Sequence, residues 1–121
     1  MSKPCLLFVD DEEELLNLYR SAFGREGYEV LTAPDLEAAR GILAGSGVAA
    51  VVLDIRLTEG SGLELLREIK AGQPHLPVVL STAYARYQDD FSSWLADAYV
   101  VKSSDLSELK ATVRRCVGVT A

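Results

Sequence analysis

Cys5-Leu6-Leu7-Phe8-Val9-Asp10-Asp11-Glu12 begins with five residues suited to a strand and closes with adjacent acids. Its apolar residues run consecutively instead of alternating, the pattern of a strand covered on both faces, as in a parallel sheet with helices above and below. Directly after it, Glu12–Glu26 carries Leu15, Leu18, Tyr19, Ala22 and Phe23 at i, i+3, i+4, i+7 and i+8, which predicts a helix with that stripe on the sheet and Leu16 off it. Gly27 closes the helix as a C-cap. Four more short apolar runs follow, Tyr28–Leu31, Val48–Leu53, Val78–Leu80 and Ala98–Val101, and each reads as a strand. Between them lie helical patterns at Leu36–Leu43, Gly62–Lys70 and about Tyr87–Leu95, where Phe91 and Trp94 would pack on the sheet. A last helix is marked by Leu106, Leu109, Val113 and Cys116 or Val117, with Ser104 or Asp105 as its N-cap. Five strands alternating with five helices predict an α/β, doubly wound parallel sheet with right-handed crossovers.

The chain has 121 residues, 49% of them hydrophobic, enough for one domain over 1–121 with its own core. Its 12 basic and 18 acidic residues give a net charge of −6, which disfavours direct binding to nucleic acid or an anionic membrane. Cys5 and Cys116 are too few for a zinc cluster or a disulfide framework; they read as inert thiols in a reducing cytoplasm. The apolar start meets Asp10 too soon for a signal-peptide core. The longest apolar run, Val48–Leu53, is far short of the roughly 20 residues of a membrane span.

In open α/β sheets the ligand crevice lies outside the carboxyl ends of the strands. Asp10 and Asp11 follow the first strand, Asp54 the third, Thr82 lies just past the fourth and Lys102 follows the fifth. Three carboxylates gathered there would repel one another unless a cation sat among them. Hard oxygen donors without nearby thiolate or imidazole select Mg²⁺, with Mn²⁺ as a substitute. An aspartate beside that metal, a hydroxyl and a lysine makes a phosphoryl-acceptor site. Taken singly, each of these residues has a plainer reading as a turn acid, a strand-end hydroxyl or a surface charge; their joint placement carries the argument.

At these residues the sequence resembles the receiver domain of bacterial two-component response regulators. The resemblance runs through Leu6–Glu12, Val52–Gly62, Pro77–Ala83 and Ala96–Lys102, and so covers essentially the whole chain. It implies a flavodoxin-like sheet in the order 2-1-3-4-5. It implies phosphorylation of Asp54 by a histidine kinase or phosphotransfer protein, with Mg²⁺ held by Asp11, Asp54, the backbone carbonyl of Arg56 and, through water, Asp10. Thr82 and Ala83 would bind the phosphoryl group together with Lys102, and Tyr99 would be the switch aromatic. The face of the fourth helix, fifth strand and fifth helix would report the state to a downstream protein or output domain, or through a dimer formed on phosphorylation. Such a domain is a phosphoacceptor and not an enzyme in its own right.

Two positions depart from the family pattern. Thr58 stands where proline is usual, and Lys102 is followed by Ser103 instead of a cis proline, so either a strained cis bond or a differently aimed lysine is expected. Arg56 and Tyr84 flank the chemistry and are expected to shield an acyl phosphate from water. Leu16 is a candidate contact for a kinase helix bundle, and His75, alone between two prolines, is assigned no role. Three other readings compete. One is a phosphorylation-independent module of the same fold, and another is a haloacid-dehalogenase-type phosphatase, whose second acid is replaced here by Arg56. The third, a flavodoxin-type cofactor protein, lacks its phosphate loop.

Overall fold

The computed structural model describes residues 3–45, 47–57, 60–83 and 95–120, apart from the side chains of Val119 and Thr120. Tyr84, Phe91, Trp94 and the whole of the predicted fourth helix except its last residue, Leu95, lie outside the described residues, as does Thr58. Five parallel strands, β1 (Cys5–Val9), β2 (Glu29–Ala33), β3 (Ala50–Leu53), β6 (Val78–Thr82) and β7 (Ala98–Val101), form one sheet in the order β2-β1-β3-β6-β7. This is the predicted order. An unanticipated two-stranded ladder, β4 (Arg56–Leu57) against β5 (Gly60–Ser61), follows β3; two-residue strands are too short to show periodicity.

Strand geometry sorts the core by parity. Leu7, Val9, Val51, Leu53, Val78 and Leu80 face one side, under helices α2 (Leu36–Gly45) and α3 (Gly62–Gly72). Leu6, Phe8, Ala50, Val52, Val79 and Val100 face the other, under α1 (Glu13–Arg25) and α4 (Ser107–Thr120). Both faces are dry, which explains why these strands are apolar at every position. Among the described residues, no helix is long and apolar enough to cross a membrane.

The expected face of α1 is corrected by the structure. Leu16, Tyr19 and Phe23 are its buried residues, whereas Leu18 is 47% exposed. At about 100° per residue, this stripe is turned by roughly 65° from the one expected. The cause is aromatic packing: the Phe8 ring stacks on Tyr19 at 4.7 Å and meets Phe23 at 4.9 Å, which rolls Leu16 into the core and Leu18 out. Leu16 is therefore not a surface contact.

Cys116 is buried and Cys5 half-buried. Burial pushes both thiols up, so they stay protonated at neutral pH. α4 makes its first helical bond from the Lys110 amide to the Leu106 carbonyl (2.8 Å), so the cap position is Leu106 and not Ser104 or Asp105; Asp105 instead closes the turn before it, accepting from the Ser107 amide at 2.9 Å.

Candidate functional site

Parallel pairing sets the site. Val9 lies opposite Leu53, and the ladder continues one step beyond, where the Asp54 amide donates to the Val9 carbonyl at 3.0 Å. Asp10 and Asp54 therefore leave adjacent central strands side by side. On the other flank Thr82 pairs with Val101, and the Lys102 amide donates to the Thr82 carbonyl at 2.7 Å. The four strand ends meet at the carboxyl edge, where the connections reverse direction.

Each buried aspartate divides its oxygens between two tasks. Oδ1 of Asp10 accepts from the Glu12 amide (2.9 Å) and Oδ1 of Asp54 from the Arg56 amide (3.4 Å), closing local turns. Both Oδ2 atoms face Lys102, whose Nζ is 2.7 Å from Asp10 and 3.2 Å from Asp54. Asp10 and Asp54 are 3% and 7% exposed, so this is a nearly buried triad and not a surface ion pair. Glu12 adds a weaker contact to Lys102 at 3.7 Å from the exposed side.

Burial pushes the Asp54 carboxyl above the ordinary aspartate range, and the charge of Asp10 adds to this while Lys102 and the Arg56 amide oppose it. For Lys102, burial alone would lower the ammonium. The hydrogen bond to Asp10 and the charges of both aspartates outweigh it, so the group is held above its usual range and stays charged.

Carboxylate oxygens of Asp10, Asp11 and Asp54 all lie within 4.8 Å of one another, with Asp11 exposed. Three carboxylates and one ammonium sum to −2 when all are ionised, the charge a divalent cation balances. The donor set is all hard oxygen and fits Mg²⁺ or Mn²⁺.

Of the remaining expected residues, Thr82 is fully buried at the end of β6, Ala83 is exposed beside it, and the Arg56 side chain is exposed. Tyr99 is half-buried against the core beneath α2 and α3, in register with Leu80. Among the described residues no peptide bond is cis, so Lys102–Ser103 is trans, and the lysine still reaches the acids. The serine that replaces proline closes its own turn, its hydroxyl accepting from the Asp105 amide at 3.1 Å.

Sequence reasoning passed over Gly62. A Cβ there would fall on the Asp54 carbonyl oxygen and 3.1 Å from Leu53 Cγ, so only glycine lets α3 start hard against the site. The Gly62 amide also donates to the Ile55 carbonyl at 2.7 Å, fixing the loop behind Asp54. The Gly60-Ser61-Gly62 cluster was the available signal.

Comparison with known proteins agrees with this geometry. The family model described as "Response regulator receiver domain" matches residues 6–114. The chain is 32% identical over 114 residues to the regulatory protein AtoC of Escherichia coli, covering 93% of this chain and 25% of that protein. It is 36% identical to the probable transcriptional regulatory protein TcrX of Mycobacterium tuberculosis, covering 95% of this chain and 51% of that one. The chain thus spans about a fifth to a half of the length of the curated relatives it matches. Among solved structures, response regulator TrrA of Thermotoga maritima in complex with Mg²⁺-BeF superposes with a TM-score of 0.90 at 39% identity, covering 93% of this chain and 98% of that one. TrrA in complex with the histidine kinase ThkA gives 0.88 at the same identity, with 93% and 97% covered. The acid-lined strand ends, the sheet order and the match over nearly the whole chain place this protein in the response regulator receiver domain family.

Proposed function

We propose that the chain, read as one receiver domain over 1–121, accepts a phosphoryl group on Asp54 from a phosphohistidine of a kinase or phosphotransfer protein. The observation that carries this reading is the placement of the Asp54 carboxylate within 4.8 Å of those of Asp10 and Asp11, and 3.2 Å from Lys102. An Asp54 oxygen attacks the phosphorus; the P–N bond breaks, its electron pair returns to the imidazole nitrogen, and a P–O bond forms. Water later attacks the same phosphorus and releases inorganic phosphate, which restores the carboxylate.

Asp10, Asp11, Asp54 and the Arg56 carbonyl would hold Mg²⁺, with Mn²⁺ able to replace it; the bound cation supplies Lewis-acid neutralisation of phosphoryl charge. Lys102 moves its ammonium from the Asp54 carboxylate to a phosphoryl oxygen, and Thr82 and the Ala83 amide bind the others. The added charge biases the domain between two conformations, with Tyr99 and the exposed edge of β7 as the reporting side. The output is a change of partner affinity in a reducing cytoplasm and not substrate turnover.

The test is incubation with Mg²⁺ and acetyl phosphate, followed by intact-mass measurement. A labile gain of one phosphoryl group, abolished in Asp54→Asn and by EDTA, is the expected result. Catalytic hydrolysis of added phosphate esters would indicate a phosphatase, and no adduct with any donor would indicate a phosphorylation-independent module.

A further inference from the structure

The strand β7 is tied at its two ends by different means. At the amino end Asp97, the residue just before the strand, donates its amide to the Val78 carbonyl at 2.9 Å, and its Oδ2 accepts from the Val78 amide at 2.8 Å. The same oxygen accepts from the Lys70 ammonium at 2.7 Å, and Lys70 donates also to the Leu76 carbonyl at 2.9 Å. The Lys70 side chain is 15% exposed, so these bonds form a largely buried, charge-assisted clamp that joins α3, the entry to β6 and the entry to β7.

The helix α3 gives the clamp a fixed seat. Its first residue, Gly62, abuts the Asp54 carbonyl, Lys70 stands in its last turn, and its 11 residues carry it roughly 16 Å from the site toward the amino edge of the sheet. The clamp holds no group that the phosphoryl chemistry uses. At the carboxyl end of β7 the Lys102 amide donates to the Thr82 carbonyl at 2.7 Å and the Lys102 ammonium meets Asp10 and Asp54, and that ammonium is the group phosphorylation draws away. Tyr99 lies between, two residues past Asp97 and three before Lys102.

We propose that the Lys70–Asp97 clamp is the pivot of the response: it holds the amino end of β7 to α3, so that phosphorylation displaces the strand at Tyr99–Lys102 and not at Asp97. The proposal rests on the reading of Asp54 as phosphoacceptor. A strand released at both ends would shift along its whole length. One fixed at a single end turns the displacement of Lys102 into a tilt that grows toward the reporting side.

The experiment is amide exchange followed by NMR on the wild type, Lys70→Met, Asp97→Asn and Lys70→Arg, with and without Mg²⁺ and beryllium fluoride as a stand-in for the phosphoryl group. The bonded amides at the two ends, Asp97 and Lys102, are the readout. In the wild type, beryllium fluoride is expected to change exchange at Lys102 about tenfold or more and at Asp97 by less than about twofold. In Lys70→Met the Asp97 amide should respond as well, by about fivefold or more, the scale of one lost charge-assisted hydrogen bond. Asp97→Asn keeps an acceptor for the Val78 amide and should show the same spread in milder form, so it carries the comparison if Lys70→Met does not fold; Lys70→Arg should restore confinement. The Glu29 amide, bonded to the Pro4 carbonyl at 2.9 Å on the same edge of the sheet, stays as in the wild type and separates this result from general loosening. Equal changes at Asp97 and Lys102 in the wild type, no change at Lys102, or a response still confined in the folded variants would each overturn the proposal. Acetyl phosphate on the wild type separates the two readings: without a phosphoryl adduct the reading of Asp54 fails and the pivot with it, whereas an adduct together with any of those three results removes the pivot alone.

Discussion

The ammonium of Lys102 lies 3.2 Å from Oδ2 of Asp54, and the two residues reach each other across 48 positions of sequence. Lys102 serves as a built-in counter-ion for two buried carboxylates, so the same crevice holds either this tethered cation alone or the lysine together with a divalent ion.

Removing the lysine leaves Asp10 and Asp54 buried without their cation. Lys102→Met is expected to lower stability in EDTA by about 3 kcal/mol, the scale for breaking a buried ion pair, and to enlarge the rise in Tm on adding Mg²⁺. Because the folded Lys102 value is raised, its contribution is complete below the ordinary lysine value of about 10.4 and is lost as pH rises through the folded value. The wild type should therefore lose Tm above about pH 10 while Lys102→Met does not, as thermal melts across alkaline pH would show.

Asp54 is held above the ordinary aspartate range by burial and by Asp10, so its ionised form opposes folding at neutral pH. Asp54→Asn is expected to raise Tm in EDTA at pH 7 by roughly 3–6 °C, equivalent to about 1 kcal/mol in a domain of this size. The raised value means that the cost appears as pH rises through it and is absent below the ordinary range. The gap between variant and wild type should close as pH falls toward about 4. Calorimetry in metal-free buffer checks both parts, and an unchanged Tm at pH 7 would contradict the first.

Gly62 abuts the Asp54 carbonyl, and a methyl group there has nowhere to go. Gly62→Ala should destabilise by about 1–3 kcal/mol, as overpacking does, and weaken Mg²⁺ affinity by displacing Asp54. Gly72→Ala, with nothing within 4 Å of the added carbon, is the control and should leave both unchanged. Urea melts and titration calorimetry give the two readouts.

Leu16 is 1% exposed and Leu18 is 47% exposed. Leu16→Ala should cost about 2–5 kcal/mol through the cavity it opens, and Leu18→Ala should stay within roughly 0.5 kcal/mol. Equal effects in denaturant melts would contradict the observed rotation of α1.

The order of residues alone specifies the strand–helix alternation, because a strand dry on both faces has to be apolar at every position, as Leu6 to Val9 and Val51 to Leu53 are. It also placed Asp10, Asp11, Asp54, Thr82 and Lys102 at strand ends, since a polar residue directly after such a run marks where the chain leaves the core. The remainder required the folded arrangement. The rotation of α1 depended on Phe8 stacking under Tyr19, a contact invisible to a periodicity that Leu15 and Leu18 satisfied equally well. The need for glycine at position 62 came from the carbonyl of Asp54, a contact made across the loop that separates β3 from α3. Local pattern fixes which residues are buried in kind, whereas long-range packing selects which atoms meet, because contact geometry depends on rotations and registers that no single segment encodes.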